Sequence, residues 1–283
     1  MEQIWIFYVL MFGLLKGSRE GMKKAALKKT SSTVILFFYT LIGLIFALPF
    51  SADAFTLAPL QIFYIFLKAA VVCTAWLFAM AALKEISVSL YGIMDLSRMI
   101  FSTLLGVFAL GEKMTPPKAI GMGLVLLGLL LVNLKKEGGK KPMTLPILAA
   151  ALANCFFNAV SGTMDKVLMK DMTSSQLQFW FMFFMTLIYG IVLLVKRERI
   201  EWKTTRTNYW IPLMSLSLII GDRFLFEANA IPQSEVTIMT VIKQSSVLIT
   251  VLTGWLVFKE KNILYKFFCT AIVLAGIFTA AFL

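Results

Sequence analysis

Polar residues in this chain are gathered into short runs, and between the runs lie long stretches that hold very few. Ten apolar stretches stand out, at about 3–26, 32–50, 60–83, 87–110, 117–134, 144–168, 175–196, 208–230, 235–258 and 263–282. Each is near the roughly 20 residues with which a helix crosses a bilayer. The pattern predicts an all-α membrane protein of ten transmembrane helices. Pro59, Pro117 and Pro146 fall at or near predicted helix starts, where a missing N–H costs nothing. The one real linker covers 135–143 and opens Lys-Lys-Glu-Gly-Gly-Lys-Lys-Pro. It separates a first unit, 1–134, from a second, 144–283.

Composition agrees and removes other classes. The chain has 283 residues, 59% of them hydrophobic and 15% charged, with a mean hydropathy of +0.85. So few charges hardly coat a soluble protein of this size. A net charge of +12 would suit nucleic acid, but the basic residues sit in short segments between apolar spans. That is the positive-inside pattern, and no nucleic-acid partner is expected. Cys73, Cys155 and Cys269 fall inside apolar spans and act as small hydrophobes, so no disulfide framework is predicted. Histidine is absent, which removes histidine metal ligands and proton relays, and no cofactor is expected. The first span is not read as a cleavable signal, because Met1-Glu2-Gln3 lacks a basic start.

Charges within the spans carry the chemistry. A charge at bilayer depth costs roughly 2.5–3.5 kcal/mol on insertion scales, so it persists where it faces a bundle interior or a wet cavity. Asp95 and Arg98 stand near the middle of the fourth span, three residues apart and on one face. The second half of the first span reads Lys16-Gly17-Ser18-Arg19-Glu20-Gly21. Arg19 and Glu20 lie deep enough for a cavity role, while Lys23, Lys24, Lys28 and Lys29 are read as snorkelling to an interface. The eighth span brings Asp222, Arg223, Glu227 and Asn229; Arg223 and Glu227, four apart, can pair and neutralise each other. Lys243 and Gln244 come from the ninth. Trp76 and Tyr91 are candidates for packing on a solute, whereas the aromatic run Phe179 to Phe184 is read as lipid-facing bulk. Glu112 and Glu260 end their spans near an interface and are read as structural, as are the glycines of the fifth and tenth spans.

The midpoint linker divides two similar halves. A shift of 148 lays Leu77-Phe78 on Leu225-Phe226, Gly106 on Gly254, Glu112-Lys113 on Glu260-Lys261 and Gly128 on Gly276. A shift of 143 lays Ser18 on Ser161 and Lys23 on Lys166. The first register sets Asp95 against Lys243, so these two are expected to meet across a pseudo-two-fold axis. Five spans per half is an odd number, so the halves must insert with opposite orientation. An inverted repeat keeps its site at the midplane, between the halves.

On these residues, with Ala82 to Ser89, Leu110 to Lys113 and the glycines from Gly121 to Gly128, the chain resembles the EamA domain of the drug/metabolite transporter superfamily. A degenerate second copy runs from Leu225 to Gly276. The resemblance implies two five-helix repeats, with helices 1, 3, 4, 6, 8 and 9 around a central cavity. Members of that family often carry a proline where this chain has Ser97 and Ser245, so a kink in helix 4 or 9 needs another source. A weaker resemblance is to small multidrug-resistance proteins, whose first-helix glutamate is followed eight residues later by lysine. Glu20 and Lys28 match that spacing, and there the glutamate exchanges protons for substrate.

The leading expectation is a secondary transporter working by alternating access on a small-molecule solute. Charges of both signs, Arg19, Arg98, Arg223 and Lys243 against Glu20, Asp95, Asp222 and Glu227, suit an amino acid-like zwitterion or a charged metabolite. The alternatives are a drug or cation exporter coupled to protons through Glu20, a non-transporting membrane subunit, and a membrane-embedded enzyme. The last has no histidine and no Asp-rich motif in its favour. The chain is expected among the lipids of a bacterial cytoplasmic membrane, as a monomer or homodimer. Loops after odd-numbered spans hold Lys23 to Lys29, Lys84, Lys135 to Lys141, Lys196 to Arg206 and Lys259 to Lys266. Those after even-numbered spans hold little beyond Lys113, Lys118 and Lys170. By the positive-inside rule the odd loops are cytoplasmic and both termini lie outside. Many members of the resembled family have both termini inside instead.

Overall fold

Helices follow one another in a computed structural model that describes residues 4–110, 114–134, 144–169, 171–231, 242–244 and 246–282. They are α1 (Ile4–Ala26), α2 (Ser32–Ala47), α3 (Pro59–Glu85), α4 (Val88–Asp95), α5 (Arg98–Leu110) and α6 (Pro116–Leu134) in the first half. The second half holds α7 (Leu145–Leu168), α8 (Ser174–Val195), the short α9 (Trp202–Arg206), α10 (Trp210–Ala230), α11 (Ser246–Leu256) and α12 (Ile263–Phe282). Prolines mark three of the starts: Pro59 opens α3, Pro116 opens α6, and Pro146 sits in the first turn of α7. The start of α8 is capped reciprocally, the Thr173 hydroxyl accepting from Gln176 N–H and the Gln176 side chain from Thr173 N–H.

Six described segments are long and apolar enough to cross a membrane: Ser32–Phe50, Pro59–Glu85, Val88–Leu105, Leu145–Asp165, Ser174–Val195 and Ile263–Ala280. Pro116–Val132 is a shorter apolar helix. α1 and α10 have the length, at 23 and 21 residues, but carry charges in their second halves.

The fourth span is not one continuous helix. Leu96 and Ser97 donate to Ile93 and Met94 at 3.2 and 3.0 Å, and Met99 and Ile100 to Leu96 and Ser97 at 3.1 and 3.0 Å. Each of these bonds reaches back three residues instead of four, a tightened turn that separates α4 from α5. The break thus exists without proline, and the Asp95–Arg98 ion pair spans it at 2.7 Å. α9 was also not anticipated; it and the turn after it delay the eighth span to Trp210.

Helix packing repeats across the halves. α1 lies on α10 as α7 lies on α3, and α3 touches α8 as α10 touches α2. α1 meets α11 as α7 meets α4 and α5, while α2 packs on α8, α6 on α12 and α4 on α11 as self-related pairs. The largest core gathers Ile35, Tyr39, Ile65, Met182, Met185 and Tyr189 between α2, α3 and α8. A second joins α4, α6, α11 and α12 through Ile93, Val125, Val251 and Val273. At the α6–α12 crossing a Cβ on Gly276 would lie 2.6 Å from Gly121 O, so the two backbones touch where both residues are glycine.

The second half also caps the first. Lys259, at φ 50°, turns the chain after α11 and brings Glu260 under α4. Its carboxylate accepts from Val88 N–H at 2.7 Å and Ser89 N–H at 3.3 Å, and Lys266 stands 2.9 Å away. Glu260 is structural, as expected, whereas Glu112, Lys113, Ser245 and the linker lie outside the described residues.

Candidate functional site

Two polar clusters lie where the halves meet, and α1 serves both. The first surrounds the break in the fourth span. Asp95 holds Arg98 at 2.7 Å and Lys16 of α1 at 3.5 Å, and it accepts from Asn154 Nδ2 of α7 at 3.4 Å. Asn154 also donates to the buried Tyr91 hydroxyl at 3.2 Å, and Asn158 donates to Asn154 at 2.7 Å. Lys16, Glu20, Gly92, Asp95, Gln244 and Thr250 are among the residues lining a narrow crevice here, formed by α1, α4, Gln244 and the first turns of α11. Arg98 Nε, Ser97 Oγ and Glu20 Oε2 are buried without a hydrogen-bond partner. Buried polar atoms left so are costly, and they mark where another polar group is wanted.

The second cluster lies on the other side of α1. Arg19 is 7% exposed, and its Nη1 has no partner. Lys68 of α3, 6% exposed, stands 3.1 Å from Asp165 of α7, without hydrogen-bond geometry to Oδ1. The same ammonium lies 3.8 Å from the centre of the Phe181 ring, a cation–π contact. Asp222 of α10 feels the fields of Arg19, Lys68 and Asp165 but forms no direct ion pair among the described residues. Two cations from the first half thus face two carboxylates from the second. Glu20 and Lys23 pair at 2.9 Å, Lys23 sits 5.9 Å over Trp76, and Trp76 packs on Tyr39 at 5.1 Å, which links the two clusters.

A third recess, between Tyr8, Phe50, Gln178, Ile219, Arg223 and Glu227, is mostly apolar. Gln178 is buried there with its Nε2 unpartnered. Arg223 donates to Ser175 Oγ at 3.0 Å and stacks 4.7 Å over Phe50.

Several sequence expectations need correction. Arg223 does not neutralise Glu227, which is exposed; the serine and phenylalanine take the guanidinium instead. Lys16, not Lys243, is the lysine beside Asp95; Lys243 has interactions of its own. Lys23 and Lys24 do not snorkel: the first pairs with Glu20, and the second donates to Lys84 O at 3.0 Å and Ile86 O at 2.9 Å, capping α3. The aromatic run is not lipid-facing bulk throughout, since Phe179, Phe181 and Met182 are buried and Phe181 carries Lys68. Trp76 is packed between Lys23 and Tyr39, and Gln244 lines the crevice. The side chain of Asn229 lies outside the described residues. Lys16, Lys68, Asn154, Asp165 and Gln178 were missed. Lys68 carried the signal that exposed Asp95, a charge deep inside an apolar span, and Asp165 is legible only once α3 and α7 are known to touch.

A helical bundle of two packed, similar halves, with six described segments long and apolar enough to cross a membrane, defines a multi-pass membrane protein. The profile of the EamA-like transporter family matches residues 3–134 and again 145–282, and the chain belongs to that family, within the drug/metabolite transporter superfamily. No curated protein matches the sequence. Among 26 matching chains of solved structures, one titled "Crystal structure of protein" superposes with a TM-score of 0.62 at 14% identity. The match covers 99% of this chain and 96% of that one, and supports the fold alone.

Proposed function

We propose that this chain is a ten-span secondary transporter, two inverted five-helix repeats that rock against each other to give alternating access. Its substrate is a small polar or charged metabolite, with an amino acid-like zwitterion favoured. The observation that carries this is the second cluster, where Arg19 and Lys68 of one half face Asp165 and Asp222 of the other. Parting the halves there exposes two cations and two carboxylates. A zwitterion satisfies both, its carboxylate on Arg19 and Lys68 and its ammonium on the two aspartates. A purely apolar solute offers none of these charges a partner, and a buried charge left without one is costly.

Flux in liposomes tests it. We expect reconstituted protein to move a labelled amino acid in counterflow, and Lys68→Met or Asp222→Asn to reduce that flux at least tenfold at normal expression. Turnover of a substrate without flux would turn the reading to an enzyme, and neither activity to a non-transporting subunit. A second reading, proton antiport with a drug or cation through Glu20, draws on its buried and unpartnered Oε2. It predicts that Glu20→Gln loses pH-driven uptake yet keeps counterflow. Unchanged proton dependence in that variant removes Glu20 from coupling.

A further inference from the structure

At the opposite pole from the apolar recess, where α1, α3 and α8 end, the chain forms a polar pocket that plays no part in the reading above. Lys29 follows α1, Lys84 closes α3 and Lys196 follows α8, and all three line one space with Thr30, Ser31 and Ser32. Glu198 is the one carboxylate in that lining, and none of the three lysines is in an ion pair among the described residues. The start of α2 opens into the same place. Its first intrahelical bond is Ile35 N–H to Ser31 O at 3.0 Å, so the N–H groups of Ser32, Thr33 and Val34 precede the ladder, and the Ser31 side chain does not cap them. Such a helix start attracts anions. An adjoining pocket shares Lys29, Thr30, Ser31 and Glu198 and adds Thr205, which is 8% exposed with its hydroxyl unpartnered. Ammonium groups, hydroxyls and free N–H groups in one recess are the donors that hold a phosphate.

We propose that this pocket binds the phosphate headgroup of an anionic phospholipid. The occupant is a lipid because of what flanks the pocket. Leu187, Ile191 and Leu194 form an exposed apolar stripe along α8, 47%, 51% and 75% exposed, that runs up to Lys196. Trp202 and Tyr209, 60% and 59% exposed, stand at the same end, and Lys29 lies 5.9 Å over the Tyr209 ring. Exposed aromatics beside basic residues mark headgroup level, and the apolar stripe offers acyl chains a path into the bilayer. Basic pockets between membrane helices are sites of this kind.

The experiment uses delipidated full-length protein in mild detergent, with palmitoyl-oleoyl phosphatidylglycerol, the matching phosphatidylcholine, and glycerol 3-phosphate as probes. Native mass spectrometry and thermal melting give binding. Phosphatidylglycerol should stay bound and raise the melting temperature where phosphatidylcholine does not. Each lysine near a charged headgroup contributes about fivefold in affinity, so Lys84→Ala should weaken binding about fivefold and the triple variant at Lys29, Lys84 and Lys196 about a hundredfold. Lys203→Ala, on α9 and outside the pocket lining, should leave binding unchanged. Equal retention by the triple variant, or equal binding of the two lipids, overturns the proposal. Protection by glycerol 3-phosphate as strong as by the lipid overturns the lipid occupant in favour of a soluble phosphate ester. Where the triple variant does not fold, Lys84→Ala decides alone, because that exposed side chain makes no hydrogen bond or ion pair among the described residues.

Discussion

Asp95 answers two cations with one carboxylate, and its substitutions should therefore not be equivalent. Asp95→Asn leaves Arg98 and Lys16 facing each other, whereas Arg98→Ala leaves Asp95 still paired with Lys16. Breaking a buried pair by removing one partner costs roughly 3 kcal/mol or more when the other stays uncompensated. We expect Asp95→Asn to melt well below wild type and Arg98→Ala to lose no more than about half as much, with transport abolished in both. Equal melting temperatures would mean that Lys16 is not held by Asp95 in the membrane. Residue-scale chemistry was legible where a charge stood in the middle of an apolar run, as at Asp95, Arg98 and Arg19. It was illegible for Asn154 and Gln178, because an amide in a long helix looks the same whether it faces a carboxylate or a lipid. Only the packing of α7 against α4 gives Asn154 its partners.

At the scale of elements, the small residues of α6 do different work two positions apart. A side chain on Gly121 would run into the α12 backbone at Gly276, while nothing lies within 4 Å of a Cβ on Gly123. Gly121→Leu should destabilise by about 3 kcal/mol or abolish folding, and Gly123→Leu should stay within about 0.5 kcal/mol of wild type. Thermal melting in detergent checks both, and a tolerated Gly121→Leu would mean that α6 and α12 do not touch there. Among the described residues, helices lie close to the apolar runs, since a bilayer-length apolar run has few other uses. The break at Leu96–Ser97 was not legible, because no proline announces it. Nor was α9, whose five residues are too short to leave a period in the sequence.

The whole molecule adds orientation, which loop charge and family habit assign oppositely. We propose that both termini lie outside, on the weight of Lys and Arg in the loops expected to follow odd-numbered spans. A single cysteine inserted between Gly138 and Gly139 of a cysteine-free variant should resist an impermeant maleimide on intact cells and react after permeabilisation. Labelling of intact cells would reverse the assignment. The scaffold itself is nearly even-handed, the main helix pairs of one half having counterparts in the other among the described residues. Its charges are not: the repeat positions of Lys16, Arg19, Glu20, Asp95 and Arg98 hold Ala159, Gly162, Thr163, Lys243 and Ser246. Were the side chains as symmetric as the backbone, the inward-facing and outward-facing forms would be mirror-equal in energy. On the proposed alternating access, the Lys16–Asp95–Arg98 and Glu20–Lys23 ion pairs, seated in the first half without counterparts at the repeat positions, set one form lower, and an unloaded carrier idles with the same mouth open.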